Sequence, residues 1–309
     1  QTMNVILTLL YYTVKMSTPL LFVIMGGVFV QRAGVFNFAL ESAINTGAFA
    51  AIAVIMVTNN LLAGIIGALL ACVLVNMFFA LFTVKFNAHP TVVGMAINLL
   101  TAAIIPYLMM ALFETSAVLN VTQVVDPASV PIDVPILRKN PILGDIFNKQ
   151  SPLTYLSFLA VAVLTLIYYK TDFGTHVRLV GDSREAAEAI GINVNKIKVL
   201  ALVISGICCA LAGLNISVES LGMYTLNLSA SRGYICLSAI NCGRKEPLKS
   251  AAFGLLFGFA RALQIILANY LGTTLASLLE ALPYITIIVV LVMTEIPNVR
   301  RNPMRIFAK

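Results

Sequence analysis

The stretch from Leu61 to Val84, LLAGIIGALLACVLVNMFFALFTV, decides the fold. It contains no charged residue and is as long as the roughly 20 residues an α-helix needs to cross a hydrocarbon core of about 30 Å. A spanning β-strand would be about ten residues long and alternate apolar with polar, whereas this run is continuous. Working outward, comparable stretches run from about Val5 to Val30, interrupted by Lys15 and Pro19, and from about Val35 to Val57. Beyond it come Thr91 to Phe113, Leu153 to Tyr169, Val199 to Val218, Ala251 to Leu271 and Leu275 to Met293. A weaker piece, Leu226 to Ile240, carries Arg232-Gly233 and reads as re-entrant or broken. The whole predicts an all-α, polytopic transmembrane bundle of about nine crossings, within a range of about eight to ten. Composition agrees: 60% of the 309 residues are hydrophobic and 11% charged, with a mean hydropathy of +0.95, whereas soluble domains carry roughly 25% charged residues. One transmembrane domain is expected over residues 1–309.

The net charge is +7, yet the basic residues gather in short loops, as the positive-inside rule expects of cytoplasmic connections. The segment 170–198, with Lys170, Arg178, Arg184, Lys196 and Lys198, is assigned to the cytoplasm, as are Arg244 to Lys249 and the tail with Arg300, Arg301, Arg305 and Lys309. The segment 114–150 carries Pro127, Pro131, Pro135 and Pro141 and no basic excess, which places it outside. No interleaving of aromatic and basic residues supports nucleic acid as a partner. Cys72, Cys208, Cys209, Cys236 and Cys242 lack metal-site spacing and read as small buried thiols. The N-terminus shows neither the basic region nor the cleavage site of a signal peptide. His89 and His176 are in no metal-ligand spacing, and neither HExxH nor GxSxG occurs. No glycine is followed by lysine, so the phosphate-binding GxxxxGK loop is absent. The chain reads as a non-enzyme without a cofactor of its own.

The polar loop contains one well-signalled helix. Asp182 is a candidate N-cap, Glu185 stands where it can reach back in a capping box, and Gly191 is placed to end the helix left-handed. The residues between them, Ser183, Arg184, Ala186, Ala187, Glu188, Ala189 and Ile190, favour a two-turn helix of about 12 Å. A helix this short is unstable alone in water, so it is either packed on its own bundle as a linker or held by something else.

Three stretches of the chain are similar to a known family. GDSREAAEAIGINVNKIK and ALVISGICCALAGL, within Thr171 to Gly213, resemble the coupling region of permease subunits of bacterial ATP-binding-cassette (ABC) importers for simple sugars and nucleosides. TPLLFVIMGGVFVQRAGVFNFALESAINTGAFAA, Thr18 to Ala51, is similar to their second-span signature, and RGYICLSAINCGRKEPLKSAAFGLLFGFARALQ, Arg232 to Gln264, to a third conserved block. The nucleoside-type branch is the nearest, although family members often carry glycine where Ser42 stands and a smaller uncharged pair where Arg244-Lys245 stand. The resemblance implies that Asp182 to Gly191 seats in a groove of a separate cytoplasmic ATPase, which binds ATP and Mg²⁺. It also implies a second, non-identical permease, an extracytoplasmic substrate-binding protein docking on 114–150, and residence in a bacterial inner membrane. Nucleosides lead as solute, with riboflavin and simple sugars behind.

Polar residues inside spans are functional candidates, because a mid-membrane charge costs on the order of 3 kcal/mol on insertion scales. Glu41, Arg261 and Glu280 qualify, with Glu219 near a span end. Asn37 and Glu41 are four apart, as on one helix face, and the pattern recurs as Asn215, Glu219 and Ser220, each time after a glycine. The two Asn-x-x-x-Glu-Ser strings read as an internal pseudo-repeat facing one pathway, joined by Asn45, Asn98 and Asn241. Alternatively, Glu41 and Glu219 pair with Arg261, Gln264 or backbone and lock helices together. Phe38, Tyr107 and Tyr224 are candidates for stacking on a base. A different class, a secondary transporter driven by an ion gradient, would use the same carboxylates as ion sites and need no ATPase.

Overall fold

The computed structural model describes residues 2–115, 117–125, 127, 130, 147–271, 279 and 281–301. In chain order the helices are α1 (Thr2–Arg32), α2 (Leu40–Thr58), α3 (Leu61–Ala80) and α4 (Pro90–Phe113). They are followed by α5 (Pro152–Lys170), α6 (Asp172–Asp182), α7 (Arg184–Ala189) and α8 (Val194–Leu214). The last three are α9 (Arg232–Cys242), α10 (Pro247–Leu271) and α11 (Leu282–Arg301). Short π-helical turns, Leu81–Lys85 and Asn215–Leu221, extend α3 and α8. Two short strands, β1 (Val118–Asn120) and β2 (Met223–Thr225), pair antiparallel, a small departure from the all-α expectation.

Among the described residues, seven helices are long and apolar enough to cross a membrane, namely α1 to α5, α8 and α10. The two remaining crossings expected from sequence differ in kind. The 11 residues of α9 make about 16 Å of helix, about half a hydrocarbon core. A run of turns from Leu226 to Ser231 precedes it, so the weaker apolar piece is a broken crossing. The apolar part of α11, Leu282–Met293, is likewise short, and Glu280 lies outside the described residues.

The core forms around α1, most of which is buried, with Phe22, Ile24, Met25, Val28, Phe29 and Val30 fully enclosed. It packs against α8 and α10 and, less extensively, α5 and α9. In lipid the apolar side chains gain little by leaving the solvent, so close backbone approach carries the association. Gly26 lies against Ser205 and Cys208 of α8, and Gly258 of α10 lies against Ser17. All five cysteines are buried; the Cys72 thiol donates to the Ala43 carbonyl at 3.0 Å.

The helix α1 runs as one element through Lys15 and Pro19, the two residues that interrupt its apolar pattern. Proline removes the donor that would meet the carbonyl four residues back, here that of Lys15, while the neighbouring hydroxyls bond one turn earlier, Ser17 Oγ to Thr13 O at 2.7 Å and Thr18 Oγ1 to Val14 O at 3.0 Å. Conversely, the expected second span starts later than Val35. Gly34 adopts φ +80°, and Val35 to Asn37 are non-helical before α2 begins at Leu40. Asn37 and Glu41 therefore do not share a helix face.

Basic residues gather at one end of the bundle. Arg32, closing α1, pairs with Asp182 at 2.9 Å; Lys170 closes α5 immediately before α6. The helix α9 runs parallel to α1, with Cys236 at Leu20 O and Ile240 at Gly27, so Arg244 and Lys245 lie at that end as well. Lys85 and Lys196 line a common groove there. The strands β1 and β2 lie at the opposite end.

Candidate functional site

The polar residues inside the bundle converge on the start of α9. Glu41, in the first turn of α2 and 9% exposed, accepts hydrogen bonds from Ser229 Oγ, from Ser231 N at 2.8 Å and from Gly233 N at 2.6 Å. Its carboxylate thus covers the exposed N–H groups at the α9 N-terminus, where a helix presents partial positive charge. Ala230 and Ser231 sit at φ 44° and 61°, a left-handed conformation that costs a side-chain-bearing residue roughly 1–2 kcal/mol. The charge-assisted bonds to Glu41 offset that cost. Gly233 is needed because a Cβ there would stand 2.7 Å from Glu41 Cα. Arg232 turns back onto Leu228 O at 3.1 Å and Ser229 O at 3.0 Å. Glu41 is therefore bound to backbone, one of the partners the sequence left open, rather than to Arg261 or Gln264.

Asn37 is 1% exposed and belongs to a closed network. Its Oδ1 accepts from Ala39 N at 2.9 Å and its Nδ2 donates to Asn76 Oδ1 at 3.0 Å; Asn76 in turn donates to Cys72 O. Asn45 accepts from the Tyr224 hydroxyl at 3.2 Å. Tyr224 is fully buried, edge-on to Phe49 at 5.5 Å between centroids, which removes it as a stacking surface. Asn215 donates to Glu219 at 2.9 Å and to Ser151 Oγ at 3.3 Å, while Glu219 accepts from Leu153 N at 3.1 Å at the start of α5. These side chains are all engaged by protein.

Asn98 is the exception, because its network reaches a surface. It accepts from Ser42 N at 3.2 Å and donates to Phe38 O at 3.0 Å and to the Tyr234 hydroxyl at 2.9 Å, tying α2, α4 and α9 together. Tyr234 is 38% exposed, and its ring lies 6.2 Å from that of Phe38, which in turn lies 5.0 Å from Phe36. One and two turns further along α9, Ser238 and the exposed Asn241 continue the same face. The sequence singled out Asn98 and Asn241 on this face, and not Tyr234 or Ser238. The signal was the helical spacing of 234, 238 and 241 among apolar neighbours.

At the basic end, α6 and α7 form a second polar unit. The helix α6 was not anticipated. Thr171 Oγ1 caps it by accepting from Gly174 N at 3.3 Å, and Val177 and Val180 are buried. Phe173 stacks on Phe29 at 5.9 Å, and Arg178 lies over the Tyr168 ring at 5.5 Å. The N-cap of α7 is Ser183, whose Oγ accepts from Ala186 N at 3.2 Å. It is not Asp182, which ends α6 and is held by Arg32. With six helical residues, α7 is about 9 Å long, shorter than the two turns expected. Gly191 does close it, at φ +82°, with Gly191 N bonded to Glu188 O and Ile192 N to Ala187 O. Ala187 is buried against the chain itself, whereas Ser183, Arg184, Glu185, Ala186, Glu188, Ala189 and Ile190 are exposed. Ile190 is 65% exposed, and Arg184 pairs with Glu188 at 2.8 Å.

A multi-span helical bundle with a broken helix inside it and a capped helix exposed at its basic end has the architecture of a membrane-spanning transport subunit. Residues 9–293 match the family described as "Branched-chain amino acid transport system / permease component". The chain belongs to that family and is a permease component of an ABC importer, distinct from the ATPase. It is 30% identical over 304 residues to the nucleoside ABC transporter permease protein NupC of Lactococcus lactis subsp. cremoris, covering 94% of this chain and 93% of the relative. It is 30% identical over 264 residues to the guanosine ABC transporter permease protein NupQ of Bacillus subtilis, covering 82% and 81%. A shorter match, 38% over 78 residues and 25% of this chain, is to the xylose transport system permease protein XylH of Haemophilus influenzae. No solved structure matches the chain.

Proposed function

We propose that this permease carries nucleosides across a bacterial inner membrane as one of two non-identical transmembrane halves. The basic end faces the cytoplasm, where a separate ATPase binds ATP and Mg²⁺ and seats the exposed face of α7. A substrate-binding protein delivers solute at the opposite end, on the segment 114–150. The observation that carries the solute class is the exposed Tyr234 ring, held by Asn98 on α4. An aromatic face suits a base, and amide and hydroxyl groups beside it suit ribose hydroxyls. Relatives named for nucleosides and guanosine support the same class.

On this reading Asn98 and Tyr234 touch solute, whereas Asn37, Glu41, Asn45, Asn215 and Glu219 fix the shape of the pathway without touching it. Closure of the ATPase pushes on α7. Ser183 and Arg184 follow Asp182 directly, and the Asp182–Arg32 pair passes that displacement to α1, the centre of the bundle.

The test is purification from the native membrane in mild detergent, followed by ATP hydrolysis in proteoliposomes with the cognate binding protein. Recovery of an ATPase and a second permease, with hydrolysis stimulated by nucleosides, is the expected result. Stimulation by riboflavin or a sugar alone would reject the solute class. A chain that purifies alone and carries flux under an ion gradient would reject the coupling to ATP and favour a secondary transporter.

A further inference from the structure

We infer that the groove between the basic end of α3 and the start of α8 is a binding site for one anionic phospholipid. The groove has a volume of ≈ 840 Å³ and is walled by apolar side chains, among them Leu74, Phe78, Leu81 and Leu200. These four are 67%, 45%, 39% and 41% exposed, so the wall is open to its surroundings. From Leu74 to Lys85, α3 spans about 17 Å, close to the depth of one leaflet's hydrocarbon.

The polar lining is confined to one end. Lys85 closes the π-turn after α3, and Asn195 and Lys196 open α8. The Lys85 ammonium rests 6.0 Å above the Phe86 ring, and among the described residues neither Lys85 nor Lys196 is in an ion pair. Two cations without carboxylate partners at the end of an apolar trough match a phosphate head group with acyl chains beneath it. Cationic side chains at the cytoplasmic surface attract anionic lipid in this way. A second protein helix would fill the trough but leave both ammonium groups to find carboxylates, so charge complementarity favours lipid. The site rests on the basic end facing the cytoplasm and not on the identity of the solute. It adjoins the α7–α8 link, so a seated lipid would stiffen the segment that leads from the coupling helix into α8.

The experiment is native mass spectrometry of the intact permease–ATPase complex, released from membranes in mild detergent and supplemented with phosphatidylglycerol or phosphatidylcholine, without solute. Wild type should retain one phosphatidylglycerol per copy of this chain. The double variant Lys85→Gln/Lys196→Gln should retain it about 30-fold less, and Leu200→Trp, which fills the wall without changing charge, should also reduce retention. Lys85→Arg/Lys196→Arg should restore it, and the control pair Lys170→Gln/Lys245→Gln should leave it unchanged. Equal loss in the control pair, undiminished retention in the groove variants, or equal retention of phosphatidylcholine would overturn the proposal. So would an efficient disulfide from Phe78→Cys to the second permease, which would make the groove a protein interface.

Discussion

Replacing Glu41 by Gln separates an anchor from a solute ligand. In the native site one carboxylate oxygen accepts from Ser229 Oγ and Ser231 N and the other accepts from Gly233 N at 2.6 Å. Gln keeps one acceptor oxygen, so if that oxygen stays with Ser229 and Ser231, its Nε2 faces the Gly233 N–H, donor against donor. The lost charge-assisted bond is worth about 1.5–3 kcal/mol, and the lost charge at a helix N-terminus adds up to about 2 kcal/mol in a partly buried setting. A destabilisation of about 3 kcal/mol follows, which for a chain of this size lowers Tm by about 5 °C. The start of α9 relaxes with it, carrying Tyr234, which follows Gly233 directly, so uptake should also weaken while the complex still assembles. The assay pairs thermal unfolding of the purified complex with uptake in proteoliposomes. Glu41→Asp, which keeps the charge but shortens the reach, should fall between. A Glu41→Gln complex with wild-type Tm and abolished uptake would refute the anchoring argument and return Glu41 to the pathway as a solute contact.

Tyr234→Ala should act chiefly on transport, with stability falling by only about 0.5–1.5 kcal/mol for the lost hydrogen bond from Asn98. It removes stacking worth about 1–3 kcal/mol per base, raising the nucleoside concentration for half-maximal transport at least about fivefold in the same uptake assay. Ile190→Asp, on the exposed tip of α7, should change stability by no more than about 0.5 kcal/mol yet abolish nucleoside-stimulated ATP hydrolysis in the reconstituted complex. Ala187→Trp is a different perturbation because Ala187 is buried; it should lower Tm by detaching α7 from its own bundle, and so lose stimulation together with stability. Gly181→Ala would push a Cβ onto the Arg32 carbonyl, an overpacking cost of about 1–3 kcal/mol, read as a lower Tm and a weakened link between α6 and α1.

Span existence was legible because it depends on length and apolarity alone, and both are local properties: Leu61 to Val84 needed nothing else. The α1–α2 junction was not. VQRAGVFNFALES reads as apolar continuity, and only Gly34 hinted that the chain would turn left-handed and postpone the helix to Leu40. Lys15 and Pro19 break the apolar pattern of the first span, yet length alone carried it as a single crossing, and α1 runs through both. In the loop 170–198, Gly191 as terminator was legible since left-handed geometry singles out glycine. The choice of Ser183 over Asp182 as cap was not, because it turns on a long-range partner, Arg32, that claims the aspartate. Glu41 stood out as a costly mid-membrane charge, but its donors lie at Ser229, Ser231 and Gly233, and nothing local joins those positions.

The repeated Asn-x-x-x-Glu-Ser string has a common physical role despite different local backbones. Asn37 precedes α2 in a non-helical turn, whereas Asn215 and Glu219 share a π-helical turn and bond to each other. Yet each glutamate accepts from backbone N–H at the start of another helix, Glu41 at α9 and Glu219 at α5. A helix that begins inside a bilayer leaves its first N–H groups without water, and a carboxylate from a neighbouring span satisfies them while neutralising the positive end of the helix. A membrane-embedded glutamate costs several kcal/mol unless donors meet it, and an embedded helix start costs as much unless an acceptor meets it. Each group therefore cancels the other's penalty, and the pair is stable only together. The carboxylate of Glu41 thereby makes tenable a helix start inside the bundle, from which Tyr234 stands exposed.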